Sequence, residues 1–280
     1  MANRKLEEYI RTRSREVAGW LPRCDGEIFK EVLEAQVDRG IDGSIVEIGI
    51  HHGRSFIPLA LSNEGRRCYA IDIFARQDLN RDSSGRGDKE AFLANLKSFG
   101  LAADAICIDE RLSTLVKPDD ILEKVGLARF FHIDGGHDVE TVVNDLMLAQ
   151  AVLRDDGVIA IDDIFRHAWP EVSMGVFSYL ANQQSEFVPF AYGHNKAYMC
   201  RRPFGAMYRE LLMQSEFLEM FYAKSYAVSR DEVLVFQRYV SSDSTIRRRL
   251  VDYLMIYHAD FAFHLRKRFR RAKRMLHVQT

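Results

Sequence analysis

Two motifs in which an apolar run ends on acidic residues constrain the fold of this chain most strongly. The first is FHIDGGH (Phe131–His137) and the second is GVIAIDDI (Gly157–Ile164). The segment between them, Asp138–Asp156, has the length and pattern of a helix. Strand, helix and strand in this order predict a βαβ unit, in which the two strands are parallel and end at the same edge of a sheet.

The acidic residues that end these two strands are expected to meet. In an open α/β sheet, ligands bind at the carboxyl ends of the strands. Asp134, Asp162 and Asp163 would therefore face one ligand site, and three carboxylates suit a hard cation such as Mg²⁺. Two adjacent carboxylates at the end of an apolar strand also repel one another unless a cation is present. The alternative is that this pair caps the segment that follows.

Composition indicates a folded protein of ordinary size. The chain has 280 residues, of which 47% are hydrophobic and six are proline, a composition that argues against disorder. It has no apolar stretch near the roughly 20 residues that a membrane span requires, and the charged N-terminus does not resemble a signal peptide. Four scattered cysteines lack metal-ligand spacing. These features predict reduced thiols and a cytoplasmic location.

Strand and helix patterns alternate along the centre of the chain. Five strand candidates precede a predicted hairpin: Ser44–Gly49, Arg67–Ile73, Asp104–Asp109, Phe130–Asp134 and Val158–Asp162, then Phe187–Tyr192 and Ala197–Arg201. This order predicts an α/β fold with a parallel sheet and one reversed strand. We divide the chain into a helical segment at residues 1–40, a sheet domain at 41–203 and a mainly helical extension at 204–280.

A glycine-containing turn follows the first strand. In VEIGIHHGRS, Glu47, Gly49 and Gly53 have the spacing E-x-G-x-x-x-G, which differs from the G-x-G-x-x-G of dinucleotide sites. Asp72 ends the second strand, 25 residues after Glu47, where it could accept hydrogen bonds from ribose hydroxyls. A glycine turn by itself often serves only packing. Together with Asp72 it favours a nucleoside ligand without a pyrophosphate.

These residues resemble those of class I S-adenosylmethionine (SAM)-dependent methyltransferases. VEIGIHHG is similar to their first motif and CYAIDIF to the acid that ends their second strand. The resemblance covers roughly 41–202 and implies a Rossmann-like seven-stranded sheet of order 3-2-1-4-5-7-6, with helices on both faces. It also implies that SAM is the cofactor. The residues that would hold SAM are Glu47, Gly49, Gly53 and Asp72, with Asp109 near the adenine.

FHIDGGH and VIAIDDIFRHAWPEV resemble more specifically the metal-dependent sugar O-methyltransferases of the macrocin and mycinamicin type. This resemblance implies that Asp134, Asp162 and Asp163 hold Mg²⁺ or another divalent cation. Some members, such as the noviose enzyme, have an aspartate base where this chain has Gly136. The mycinamicin type has a histidine one position later, which makes His137 the expected catalytic base. The implied reaction is methyl transfer to a hydroxyl of a small polar acceptor, such as a sugar or glycosylated metabolite.

Two segments suggest further roles. The polar loop Arg76–Asp88 follows the strand of Asp72, so it is either a flexible surface loop or a lid over the ligands. A predicted helix from Ser244 to about His277 carries an apolar stripe and, over residues 264–277, seven Lys or Arg and no acid. We expect this helix to form a homo-oligomer in which its basic residues meet the acidic body of a neighbouring subunit. Nucleic acid or membrane binding is not expected, because no aromatic stacking platform or recognition motif accompanies the basic residues.

Two alternatives to methyl transfer remain. One is another metal-assisted reaction of the group that resembles cephalosporin hydroxylase. The other is a non-catalytic scaffold that binds an anionic surface through the basic C-terminal tail.

Overall fold

The computed structural model describes residues 3–182, 185–228, 230–236, 253–255 and 257–277, with the backbone alone over 271–277. Its centre is a sheet in which five parallel strands are followed by an antiparallel pair. The strands are β1 Ser44–Ile48, β2 Cys68–Ile71, β3 Ile106–Asp109, β4 Ala128–Ile133, β5 Leu153–Ile161, β6 Phe187–Tyr192 and β7 Ala197–Arg201. Their order is 3-2-1-4-5-7-6, and this confirms the predicted fold.

Two further strands extend the sheet beyond the predicted seven. They are β8, Lys224–Val228, and β9, Asp231–Val235. β9 lies parallel to β6 and antiparallel to β8, which gives nine strands in the order 3-2-1-4-5-7-6-9-8. A strand was expected at Glu232–Tyr239, but β8 was not, because its side chains are largely exposed and lack an apolar pattern.

Helices cover both faces of the sheet. They are α1 Arg4–Arg11, α2 Arg23–Asp38, α3 Phe56–Leu61, α4 Lys89–Ser98, α5 Pro118–Val125, α6 Val139–Val152, α7 Pro170–Ala181, α8 Gly205–Gln214 and α9 Ala259–His277. Helices α1 to α4 and α8 share one apolar core with strand residues such as Ile45 and Phe130. Helices α5 to α7 form a second core with their neighbours Val46 and Phe131. Successive strand residues point to opposite faces, so each buried strand carries apolar residues on both faces.

The helix that joins β4 to β5 is shorter than the predicted Asp138–Asp156. Asp138 is its N-cap, with a carboxylate that accepts a 2.9 Å hydrogen bond from the backbone N–H of Thr141. The helix ends at Val152, and Leu153 already pairs with Ala128 in the sheet. Strand β5 therefore starts five residues earlier than predicted.

The predicted segment boundary at residue 40 falls in the connection between α2 and β1, and the boundary at residue 203 falls in a short 3₁₀ helix, Arg202–Phe204, between β7 and α8. Side chains from all three segments nevertheless share one core, for example Phe29, Ile45 and Leu212. In the region after residue 203, the helix expected at Ala206–Phe221 ends at Gln214.

The C-terminal helix packs on its own chain by one face. Met255 and Ala259 contact Phe217 and Met220 in a small apolar cluster. The predicted start of this helix near Ser244 lies outside the described residues. None of the described helices is long and apolar enough to cross a membrane.

The charged side chains of α9 also pair within the chain. Arg266 and Arg270 bind Glu219, and Lys267 binds Glu216 at 3.1 Å. We had expected the basic residues to meet acidic residues of a neighbouring subunit, and for these three the partners are instead intramolecular. Phe261, on the outward face of the helix, is 59% exposed.

Candidate active site

A cavity of about 990 Å³ opens at the carboxyl ends of the parallel strands. Strands β1, β2, β4 and β5 each end here, which is where an open α/β sheet binds ligands. Five of the predicted site residues line it: Gly49, Asp72, Asp134, His137 and Asp163. Four are not among its lining residues: Glu47, Gly53, Asp109 and Asp162.

Gly49 forms the closest backbone contact at this edge. Its φ is +85°, and a Cβ atom built on it would lie 1.7 Å from the carbonyl oxygen of Asp134. Only glycine allows the ends of β1 and β4 to approach so closely. Gly53 also has a positive φ, but a Cβ there would meet the ring of Phe92 at 2.7 Å. Gly53 therefore serves packing against α4, and its position does not support the predicted cofactor contact.

Asp72 faces the cavity just after β2. Its two carboxylate oxygens accept backbone hydrogen bonds from His51 N–H at 2.7 Å and from Phe74 N–H at 2.5 Å. Burial raises the pKa of this carboxyl above its usual value, against the effect of these hydrogen bonds. The side chain is held firmly, and each oxygen keeps a lone pair for a ligand hydroxyl.

Glu47 lies beneath the cavity and is fully buried. One of its oxygens accepts a 2.5 Å hydrogen bond from Ser55 Oγ, just before α3. Burial raises the pKa of Glu47 well above its usual range. Its position supports the turn after β1, and the predicted contact with the cofactor is not supported.

Asp109 ends β3 and pairs with Arg111. Two hydrogen bonds of 2.7 and 2.6 Å join the guanidinium to the carboxylate, and Tyr69 Oη donates a third at 2.7 Å. The hydrogen bonds from Arg111 lower the pKa of Asp109. Arg111 lines the cavity whereas Asp109 does not, so Asp109 acts on the site by orienting Arg111.

The three predicted metal ligands meet in two overlapping groups of potential ligand atoms. The outer group is Asp134, His137 and Asp163, and the inner group is His132, Asp134 and Asp162. Within each group the ligand atoms lie within 4.8 Å of one another. Carboxylate oxygens with an imidazole nitrogen form a donor set that suits a divalent cation. The residues present therefore fit a metal ion.

The sequence did not single out His132 as a ligand. It lies near the end of β4, two residues before Asp134, which directly follows the strand, so both side chains point to the same face. The signal was present in FHID, but a lone histidine within an apolar strand more often belongs to the core.

Side-chain cations already neutralise the acidic pair after β5. Lys196 Nζ contacts one oxygen of Asp162, and Asn195 Nδ2 donates to the other at 3.0 Å. Arg166 donates to Asp163 at 2.8 Å. The repulsion between the two carboxylates is thus relieved within the chain, so that repulsion alone does not require a metal. Asn195 and Lys196, from the connection between β6 and β7, lie against the acids of the site.

The charges in this cluster shift the pKa values in opposite directions. Burial and the neighbouring Asp162 raise the pKa of Asp134 well above its usual range. Burial also opposes ionisation of Asp163, but hydrogen bonds from His137, Arg166 and Asn195 outweigh it and lower the pKa of Asp163. Of the two cavity-facing acids, Asp163 is therefore the more readily ionised.

His137 is held from three sides. Its Nδ1 lies 2.5 Å from Asp82 Oδ2, its Nε2 lies 3.1 Å from Asp163 Oδ2, and its ring stacks on Trp169 with centroids 4.3 Å apart. Burial lowers the pKa of His137, but the two carboxylates outweigh it and hold the pKa above its usual value. The arrangement of acid, imidazole and acid can hold and transfer a proton.

Asp82 belongs to the polar loop Arg76–Asp88, and several residues of that loop line the cavity. The loop therefore covers the site, as expected of a lid. Its acid was missed because nothing in the sequence relates a loop aspartate to a histidine 55 residues later.

Residues 46–164 match the protein-family model described as a methyltransferase domain. These residues therefore form a methyltransferase domain. The matched segment begins in β1 and ends after the acidic pair that follows β5. No curated protein matches the sequence.

Solved structures of O-methyltransferases share the fold of this methyltransferase. The O-methyltransferase NovP aligns with a TM-score of 0.52 at 15% identity, over 62% of this chain and 78% of NovP. The calicheamicin methyltransferase CalS11 aligns with a TM-score of 0.46 at 18% identity, over 63% of this chain and 76% of CalS11. An O-methyltransferase from Bacillus cereus in complex with SAH aligns with a TM-score of 0.47 at 17% identity, over 70% of this chain and 89% of that enzyme. At 15% identity, the likeness to NovP concerns the fold alone.

Backbone strain in the methyltransferase is concentrated at the ligand-binding edge. Five non-glycine residues in the described part of the chain have a positive φ: His51, Phe74, Ser83, Asp163 and Phe165. All five lie in the segments that follow β1, β2 and β5. Such conformations cost roughly 1–3 kcal/mol each and cluster where a fold must aim particular groups. His51, one of the five, provides a backbone N–H that holds Asp72.

Proposed function

We propose that this methyltransferase transfers the methyl group of SAM to a hydroxyl of a small polar acceptor, such as a sugar or glycosylated metabolite, with the help of a divalent metal ion. One observation carries the proposal. Asp72, which would bind the ribose, and the outer group of Asp134, His137 and Asp163 line the same cavity. A single cavity of about 990 Å³ has room for a nucleoside cofactor beside an acceptor.

The chain would position the cofactor through its first two strand ends. Gly49 lets the turn after β1 lie against the carbonyl of Asp134, which brings the cofactor edge next to the acidic edge. Asp72, fixed by two backbone N–H groups, would accept the ribose hydroxyls. Arg111, oriented by Asp109, lies at the part of the cavity next to β3, where the adenine would lie.

The acidic residues would hold the metal, Mg²⁺ or another divalent ion. Asp134 and Asp163 line the cavity, and Asp162 lies behind them beside Lys196. When bound, the ion would lower the pKa of the acceptor hydroxyl. In the structure His137 Nε2 donates to Asp163; once Asp163 binds the ion instead, this nitrogen would be free to take the proton, while Asp82 fixes the ring through Nδ1. Correct placement of the acceptor oxygen opposite the methyl group would supply much of the acceleration.

The test is a titration of the full chain with SAM and Mg²⁺ by calorimetry. The chain has two tryptophans, Trp20 and Trp169, and both line the cavity, so intrinsic fluorescence reports the same binding. Asp72→Ala should weaken SAM binding by roughly 1–3 kcal/mol, the usual cost of losing charged hydrogen bonds. NAD binding without SAM binding would contradict the proposal.

The metal is tested with a screen of glycoside acceptors. Turnover should stop in excess chelator and return with Mg²⁺, and Asp163→Asn should abolish turnover while SAM affinity stays nearly intact. The matched control is Asp155→Asn, because Asp155 lies at the opposite end of β5 with its side chain 89% exposed. Full activity in excess chelator would exclude a metal in the reaction.

We further propose, from the amino-acid pattern alone, that the protein works in the cytoplasm and as a homo-oligomer. The outward face of α9 supports the second proposal, because Phe261, Leu265 and Phe269 are exposed there at intervals of four residues.

A further inference from the structure

Lys196 is a fully buried lysine beside the acidic cluster. It precedes β7 by one residue, its side chain is 0% exposed, and its Nζ contacts Asp162. Besides Asp162, the charges that act on it are those of Asp134 and Asp25. Lysine is almost never buried unless it is paired, because removing an ammonium group from water is costly. The burial of Lys196 therefore indicates that its positive charge has a role within the site.

The inner group, His132, Asp134 and Asp162, has the donor set of a metal site. His132 is fully buried, and neither ring nitrogen has a hydrogen-bond partner among the described residues. Its Nδ1 lies 3.0 Å from a carboxylate oxygen of Glu47, but the two atoms are not aligned for a hydrogen bond. A buried imidazole with unused nitrogens, beside two carboxylates, is a typical ligand arrangement for a divalent transition metal.

The outer and inner groups share Asp134 but differ in their side-chain cations. Arg166, which pairs with Asp163 in the outer group, has a side chain 47% exposed and can move into solvent. Lys196 is enclosed and cannot. An ion could therefore replace the arginine at Asp163, whereas an ion in the inner group would have to share the space with a fixed ammonium group.

We propose that Lys196 is a built-in cation that keeps the inner group closed to divalent ions and so limits the site to one metal, bound by Asp134 and Asp163. This inference rests on the metal dependence in the proposed function. Lys196 neutralises Asp162 permanently, which leaves Asp134 as the one inner carboxylate available to an ion in the cavity.

The experiment counts bound Mn²⁺ on the full chain by electron paramagnetic resonance of the free ion. The wild type should bind one Mn²⁺ per chain and Lys196→Met should bind two. Lys196→Arg keeps the positive charge and should bind one. Adding His132→Gln to Lys196→Met should remove the second ion. A single ion in Lys196→Met would overturn the inference.

Loss of the buried cation also destabilises the fold. Thermal unfolding with and without Mn²⁺ is therefore a second test. Mn²⁺ should raise the melting temperature of Lys196→Met by more than it raises that of the wild type, since the ion takes over the neutralisation of Asp162. An equal rise, or a variant that does not fold even with Mn²⁺, counts against the inference.

The two proposals can fail separately. A wild type that binds no Mn²⁺, beside a Lys196→Met variant that binds one, would remove the metal from the proposed function and retain the role of Lys196. A wild type that binds one ion, beside a variant that also binds one, would remove the role of Lys196 and retain the metal in the proposed function.

Discussion

Replacing Gly49 with alanine should disrupt the edge where the cofactor and metal residues meet. A methyl group there would lie 1.7 Å from the carbonyl oxygen of Asp134 and 2.5 Å from its carbonyl carbon. Both are backbone atoms, so no side chain can rotate out of the way. The ends of β1 and β4 would have to separate by about 1 Å or more, since real Cβ contacts are rarely below 3.0 Å. The 2.9 Å hydrogen bond from Asp134 N–H to Ile48 O lies at this point.

The expected loss of stability has three parts. A left-handed conformation costs an alanine roughly 1–2 kcal/mol. Overpacking adds typically 1–3 kcal/mol, and the weakened hydrogen bond adds about 1 kcal/mol. The free energy of unfolding of Gly49→Ala should therefore fall by about 3–6 kcal/mol.

Gly65→Ala is the matched control. Gly65 has nearly the same φ, +82°, but a Cβ built on it has no atom within 4 Å. The free energy of unfolding of Gly65→Ala should fall only by the cost of the left-handed conformation, about 1–2 kcal/mol. Urea unfolding followed by circular dichroism measures both variants under the same conditions. Equal losses in the two would refute the steric argument, because the contact with Asp134 is what distinguishes them.

Three further predictions follow from the described contacts. Asp82→Asn should lower kcat by roughly 10–100-fold with little change in KM, because it weakens the orientation of the catalytic imidazole. The control is Asp78→Asn, at an exposed position of the same loop. Similar kinetics in the two variants would refute the role of Asp82. Burial raises the pKa of Asp145 to about 7, so the folded state holds its proton more tightly and stability should fall as the pH rises from about 4 to 7. Asp145→Asn should remove this dependence, with a gain of up to about 4 kcal/mol at pH 8 and none at pH 4 in urea unfolding; a pH-independent difference from the wild type would contradict this. Light scattering should detect a homo-oligomer that Phe261→Glu dissociates and Val37→Glu, at another exposed apolar position, does not; a monomeric wild type would exclude it.

The amino-acid pattern was sufficient for the parallel sheet with its reversed strand and for the edge at which the site lies, and the resemblance to class I methyltransferases implied the order of the seven central strands. Buried parallel strands are continuous apolar runs, and FHIDGGH and GVIAIDDI end such runs on acids. A βαβ connection places successive parallel strands in one sheet with their carboxyl ends together. The convergence of Asp134 with Asp163, and the presence of Asp72 on the same cavity, follow from that rule without knowledge of any side-chain contact.

Tertiary structure decided which residues complete the site. Asp82 reaches His137 from a loop 55 residues earlier, and Lys196 reaches Asp162 from a hairpin 34 residues later. Glu47 and Gly53 have the spacing of ligand-binding residues, yet neither lines the cavity, because Glu47 is fully buried and Gly53 lies against Phe92. These outcomes depend on how loops and hairpins fold over the sheet edge. Which charges pair depends on the distance between them and on their burial in the folded protein. The local pattern of residues does not give either quantity.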